Sequence, residues 1–311
     1  MKAINLDKKS EIFFEPYHYA SRADIFEKCD GEKLPSVEDY FEEFFGRKVM
    51  ITINGRMAIS LILRSLDLKI DDEIYITTTF EKPNVSSCVT STIFNFCRPS
   101  RVLTDKTKAI FLIHEFGVVH PRIHKLRLIA DARNIPLIED CAHTINSRSN
   151  GKAVGASGDF VVCSFPKIYP IQYGGLLIGM NTSYKPTLVQ SAIIEKIRNI
   201  LPKYMRLTNE YSQKRRDNFQ FLAVKFKELL LLPFHQIDKD VSPSLFFPLV
   251  TDRYEEVMEK ASNSKIENAL WHGTNIVVLP VHQFLVEEEL ERIFQVVKSV
   301  YEKNHSESVC R

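Results

Sequence analysis

A chain of 311 residues, 44% of them hydrophobic, has enough apolar surface for one large domain and a smaller companion. Its 41 Lys plus Arg against 39 Asp plus Glu leave a formal charge of +2, which supplies no attraction to nucleic acid or to an acidic membrane surface. The opening Met1-Lys2-Ala3-Ile4-Asn5-Leu6-Asp7 turns charged too early for a secretory leader, and no apolar run approaches the ~18 residues of a spanning helix.

A cytoplasmic location, with no nucleic-acid and no membrane partner, is therefore the expectation. The six cysteines, at 29, 88, 97, 141, 163 and 310, lack close pairing and read as reduced thiols rather than a disulfide frame or zinc site. No metal is expected.

In chain order, Val49-Met50-Ile51-Thr52-Ile53 predicts a buried strand, and Asn54-Gly55 then opens a helix whose apolar face carries Ala58, Ile59, Leu61, Ile62 and Leu66. A second strand runs from Glu73 to Thr77. Ala109 to Ile113 is another, followed by a His114-Glu115-Phe116-Gly117 turn and a basic helix from about Pro121 to Arg133. Ile135-Pro136-Leu137-Ile138 makes the next short strand. Asp159 to Ser164 and Gly175 to Gly179 complete the set, with Pro166 and Pro170 breaking any helix between them.

Residues 190 to 232 read as a long polar-faced helix, and 244 to 300 as a smaller β/α unit ending in a helix around Glu287 to Val300. The fold class is α/β. A large domain over 1–190, with a mostly parallel central sheet, would be joined by a connecting helix to a small C-terminal α/β domain over 191–311.

Open α/β sheets bind ligands beyond the carboxyl ends of their strands, and three features of the sequence fall there. Asp140 follows the strand Pro136 to Glu139, where a carboxylate can pair with a protonated ring nitrogen. Lys167 follows the strand ending at Ser164, inside a Pro-flanked turn, and a lysine so placed can form a Schiff base. Asn54-Gly55-Arg56 ends a strand and starts a helix, whose backbone N–H groups and positive dipole end suit a phosphate. Ser164 can add a hydroxyl donor. These are the groups that pyridoxal 5'-phosphate requires.

Ile138-Glu139-Asp140-Cys141-Ala142-His143, then Gly151-Lys152-Ala153-Val154-Gly155, Gly158-Asp159, Ser164-Phe165-Pro166-Lys167 and Gly174-Gly175 follow in a fixed order. That order resembles the central signature of the DegT/DnrJ family of sugar aminotransferases. The likeness extends to Asn54-Gly55-Arg56-Met57-Ala58-Ile59, to Thr107-Lys108-Ala109-Ile110, and to Leu279-Pro280-Val281-His282.

The resemblance implies an aspartate aminotransferase type of fold (fold type I) and a homodimer with shared active sites. Lys167 would be the catalytic residue carrying the cofactor, Asp140 would contact its ring nitrogen, and His143 would sit beside its ring hydroxyl. Gly55, Arg56 and Ser164 would hold the phosphate. Phe80, in Thr79-Phe80-Glu81-Lys82-Pro83, would match the aromatic residue that stacks on the ring. The implied reaction moves an amino group from a donor amino acid, glutamate in most of the family, to a keto sugar, nucleotide-linked in most cases.

Two other functions fit parts of the pattern. A different cofactor-dependent sugar reaction, such as the dehydration by relatives with His in place of the lysine, is opposed by Lys167. A family member acting as a sugar-binding or partner module would keep the fold without the chemistry.

Plainer readings compete for single residues. Gly55 alone would be a turn residue with positive φ, and Ser164 a satisfied core hydroxyl. His120 and His124 read as surface residues, since Pro121 starts the helix between them. Lys214-Arg215-Arg216 reads as a solvated helix face and Leu245-Phe246-Phe247 as small-domain core.

Overall fold

The computed structural model, which describes residues 11–20, 34–82, 85–181 and 184–307, gathers the β-branched runs into a seven-stranded and a four-stranded sheet. Cys29, Cys310, Pro83 and the first seven residues lie outside the described residues.

The first half of the chain runs α1 (Val37–Phe45), β1 (Val49–Thr52), α2 (Gly55–Ser65), β2 (Glu73–Thr78), α3 (Ser87–Phe94), β3 (Arg98–Ser100), β4 (Thr107–Ile113), α4 (Ile123–Arg133) and β5 (Leu137–Asp140). A small hairpin of β6 (Arg148–Ser149) and β7 (Lys152–Ala153) precedes β8 (Phe160–Ser164) and β9 (Gly175–Ile178). The larger sheet has the order β1-β9-β8-β5-β4-β2-β3, parallel from β8 through β3, with β9 antiparallel to both of its neighbours.

Because β1 and β8 both oppose β9, the strands β1, β8, β5, β4 and β2 all end on one edge, and β9 begins there. Its central strands are apolar without alternation because helices cover both faces. Ile110, Phe111 and Leu112 in β4, Leu137 and Ile138 in β5 and Val161 to Cys163 in β8 are all buried. Each side chain of that size contributes about 1.5–3 kcal/mol by leaving water.

The second half runs α5 (Leu188–Ile200), α6 (Pro202–Met205), α7 (Thr208–Lys227), β10 (Leu232–Pro233), β11 (Phe246–Val250), α8 (Tyr254–Asn263), β12 (Ala269–Trp271), β13 (Ile276–Pro280) and α9 (Glu287–Glu307). Its antiparallel sheet has the order β10-β11-β13-β12. The expected single helix over 190–232 is three. Pro202 has no N–H to continue the ladder of α5, so the chain restarts there, while a Thr187/Gln190 capping box fixes the start of α5.

His114–Gly117 forms a short 3-10 turn in which Phe116 takes a left-handed conformation at φ 53°. Cys88, Cys97, Cys141 and Cys163 carry free thiols. No described helix is long and apolar enough to cross a membrane.

Candidate active site

The turn after β1 is built by side chains that finish the strand and start the helix together. Thr52 donates its hydroxyl to the Asn54 carbonyl at 2.9 Å, and the Asn54 side chain caps α2 by accepting the Met57 N–H at 2.9 Å. The first N–H groups of α2, those of Gly55 and Arg56, have no acceptor within the helix and sit at its positive end. Gly55 itself is helical, so its place owes nothing to a positive φ.

The glycine the turn requires is Gly175, at the start of β9. A β-carbon there would come within 2.7 Å of the Asn54 carbonyl carbon and 2.8 Å of the Gly55 nitrogen, both backbone atoms that cannot swing aside.

Asp140 ends β5 between Ile113 of β4 and Val162 of β8, and it is buried. Its Oδ1 accepts the Ala142 N–H at 2.9 Å. Burial raises the carboxyl pKa, against the charge of Lys167, which lowers it. Lys167 closes a 3-10 turn, Phe165–Lys167, after β8. Pro166 starts this turn, and the fully buried Phe165 ring anchors it by stacking 5.5 Å from Phe41.

Burial lowers the Lys167 amine pKa, against the opposing pull of Asp140. A lowered amine pKa leaves more of the neutral, nucleophilic form near neutral pH. His143 is fixed in one tautomer: its Nδ1 accepts the Phe116 N–H at 3.1 Å, so the proton resides on Nε2. Burial holds the ring pKa well below the ordinary value, so the group is a neutral N–H donor.

These residues share one space. Gly55, Arg56, Asp140, His143, Ser164 and Lys167 line a single cavity of about 540 Å³, in the range of small-molecule sites. Phe80 does not line it. Its ring packs edge-on against Phe234 at 4.9 Å and lies 6.3 Å from Trp271, behind the wall that Phe116 and Trp271 present.

Comparison with known proteins converges on the same stretch. Residues 98–194 match the DegT/DnrJ/EryC1/StrS aminotransferase family. This central segment is similar to that family.

The chain is 30% identical over 149 residues to a GDP-perosamine synthase of Vibrio cholerae, covering 43% of this chain and 40% of that protein. It is 28% identical over 153 residues to a dTDP-3-amino-3,6-dideoxy-alpha-D-galactopyranose transaminase of Aneurinibacillus thermoaerophilus, covering 43% and 41%. The chain thus spans about two-fifths of the length of these curated relatives.

In fold the likeness is wider. The Helicobacter pylori aminotransferase involved in the biosynthesis of pseudoaminic acid aligns with a TM-score of 0.71 at 16% identity, over 94% of this chain and 100% of its own. A Streptococcus pneumoniae protein solved in PLP-form aligns with a TM-score of 0.70 at 17% identity, over 94% and 99%.

Beside Asp140 in the DegT/DnrJ segment stands a fully buried carboxylate, Glu139. It accepts N–H groups of Gly155 and Ser157, each at 2.8 Å, and of Gly158, and it receives the His114 Nε2–H at 2.9 Å. Burial pushes its pKa up, but His114 and these amides outweigh it and hold the carboxyl below its usual value. The glycines of the family motif are therefore the donors that dock the loop after β7 onto β5. Hydrogen bonds engage both nitrogens of His114 and both oxygens of Glu139, so these two do not act as free ligands beside Cys141.

His120, expected at the surface, is fully buried. Its Nδ1 accepts the Arg122 N–H, and its Nε2 donates to Thr77 at 3.1 Å. His124 is exposed.

Arg215 is the larger correction. Within the run Lys214-Arg215-Arg216 it points inward from α7 and is 3% exposed. It donates to the carbonyls of Lys167 at 2.9 Å and Ile168 at 3.1 Å, and to Gln283 at 2.7 Å. Gln283 also donates to the Ile168 carbonyl at 2.9 Å. Two residues from the second half of the chain thereby hold the backbone that carries Lys167. Nothing in a Lys-Arg-Arg triplet signals which guanidinium turns inward. Of the predicted core run, Leu245 and Phe247 are buried while Phe246 lines the cavity.

Proposed function

We propose that this chain is a pyridoxal 5'-phosphate-dependent aminotransferase that transfers an amino group from glutamate to a nucleotide-linked keto sugar. The observation that carries this reading is the meeting of Lys167, Asp140 and the N-terminus of α2 in one cavity. The relatives named above, which make or transaminate amino sugars, support the acceptor class.

The residues fit the cofactor. Gly55 and Arg56 offer N–H groups at a helix N-terminus, and Ser164 adds a hydroxyl, for a phosphate. The buried Asp140, on which the charge of Lys167 acts, would gain a further cation in a protonated ring nitrogen. His143 presents its Nε2–H as a neutral donor to a ring hydroxyl. When bound, the group supplies an electron-poor ring that stabilises negative charge on a substrate carbon. The half-buried Lys167 amine, whose pKa burial lowers against the pull of Asp140, would attach the cofactor and hold the proton that moves to and from that carbon.

On this reading residues 1–190 form the cofactor-binding unit and 191–311 its companion, with the protein acting in the cytoplasm. Loading the purified protein with the cofactor and adding glutamate should yield one equivalent of 2-oxoglutarate per site. A following GDP-, dTDP- or UDP-linked keto-deoxyhexose should then be aminated. A protein that takes up no cofactor, or takes it up and releases no 2-oxoglutarate, refutes the proposal. We assign a homodimer as the working form, and sedimentation velocity at micromolar concentration should give about twice the chain mass of 35.9 kDa. A lone 35.9 kDa species would overturn that assignment.

A further inference from the structure

The strand order divides the functional edge in two. Asn54 to Arg56 after β1, Ser164 and Lys167 after β8, and Asp140 after β5 occupy one side of the cavity. On the other side the same cavity runs past the ends of β4 and β2, where it meets Glu115 and Thr78.

Neither polar group is among those assigned to the cofactor. Glu115 is 8% exposed, and its Oε2 accepts the Phe80 N–H at 2.9 Å. Among the described residues, the cation that acts on it is Arg101, which works against the burial that raises its pKa. Thr78 is 1% exposed, and its hydroxyl lies beside the Glu115 carboxyl, which it helps to hold in the charged form. A buried carboxylate in a cavity wall has acceptor capacity beyond one backbone N–H and a neighbouring hydroxyl, and so suits a ligand that donates to it.

The same cavity has an aromatic and apolar lining. Phe116, Phe246, Trp271 and Val278 line it, and the Trp271 ring is held edge-on to Phe116 at 5.0 Å. A carboxylate and a hydroxyl in one cavity with aromatic rings suit a hexose: its hydroxyls donate to the acid, and its C–H face lies on a ring.

We infer that Glu115 and Thr78, in one cavity with Trp271 and Phe116, form the subsite that takes the hexose ring of the acceptor, with Glu115 accepting from a sugar hydroxyl and Thr78 completing the contact. This inference rests on the reading that the acceptor is a sugar, and it adds which residues choose that sugar.

Trp271 is the sole tryptophan of the chain, so its fluorescence reports occupancy of this wall without any turnover. Titration of the protein as purified with UDP-glucose, dTDP-glucose and GDP-mannose should give a saturable change with at least one of them. Glu115→Gln should weaken that binding about tenfold or more, as loss of a hydrogen bond to a charged acceptor does. Thr78→Val should weaken it several-fold, and Thr78→Ser should restore it.

In the two half-reactions, Glu115→Gln should slow reaction with the keto sugar by a similar factor and leave the glutamate step within about threefold of the parent. Parental binding constants in both Glu115→Gln and Thr78→Val, equal slowing of both half-reactions, or no fluorescence response to any of the three sugars would overturn the subsite. Failure of amino transfer alongside intact, Glu115-dependent sugar binding would instead refute only the proposed reaction.

Discussion

Lys167→Ala is expected to lose amino transfer by about 10⁴-fold or more, because the substitution removes both the covalent attachment and the proton carrier. The side chain lies in the cavity wall, while Phe165 and the Arg215 and Gln283 bonds to backbone carbonyls hold the turn, so the fold should be kept. Thermal unfolding of the variant should stay within a few degrees of the parent. Borohydride treatment followed by peptide mass analysis should find the cofactor fixed to Lys167 in the parent and nowhere in the variant. A variant that still fixes cofactor at this site would refute the assignment.

The pH dependence has a definite sign. Burial lowers the amine pKa, so the rate at which cofactor-free protein captures pyridoxal phosphate should rise with pH and level off below the value usual for a lysine. A profile that climbs to the ordinary lysine value would show the amine to be solvated.

Asp140→Asn is the second large effect, and it separates function from stability. The amide keeps the shape and can still accept the Ala142 N–H, but it removes the charge that would keep a ring nitrogen protonated. An adjacent opposite charge shifts a pKa by about 1–3 units, so the ring would lose protonation and the enzyme about 10–1000-fold in rate. The cofactor-free variant should be no less stable than the parent, since burial disfavours the Asp140 charge and, among the described residues, its carboxyl accepts one backbone N–H. Equal activity in Asp140→Asn would remove this residue from the chemistry, and a marked loss of thermal stability would reassign it to the fold.

Much of this site was legible before any coordinates. The continuous apolar runs Ala109 to Ile113 and Leu137-Ile138 are what a strand covered on both faces requires, and the structure places them in β4 and β5. Asp140 and Lys167 follow strands directly, so their position at a carboxyl edge came from local sequence, as did the helix start at Asn54-Gly55. The family motif added the order of the pieces.

Other features had no local signal. A buried arginine and a solvated one look alike in a charged helix, and Arg215 turns inward because carbonyls of the Lys167 turn, 47 and 48 residues away, await a donor. His120 looked exposed beside Pro121 but pairs with Thr77, 43 residues distant. Glu115 reads as a turn residue until β2 and β4 bring it beside Thr78 in a cavity wall.

By itself the sequence determined the strand and helix alternation and the places of Lys167, Asp140 and the Asn54-Gly55 turn at strand ends, because periodicity, capping and strand ends are local properties. Tertiary structure alone decided which polar groups are buried, which meet across the sheet edge, and which line the cavity. Burial and pairing arise between segments far apart in the chain, and there local preference carries no information.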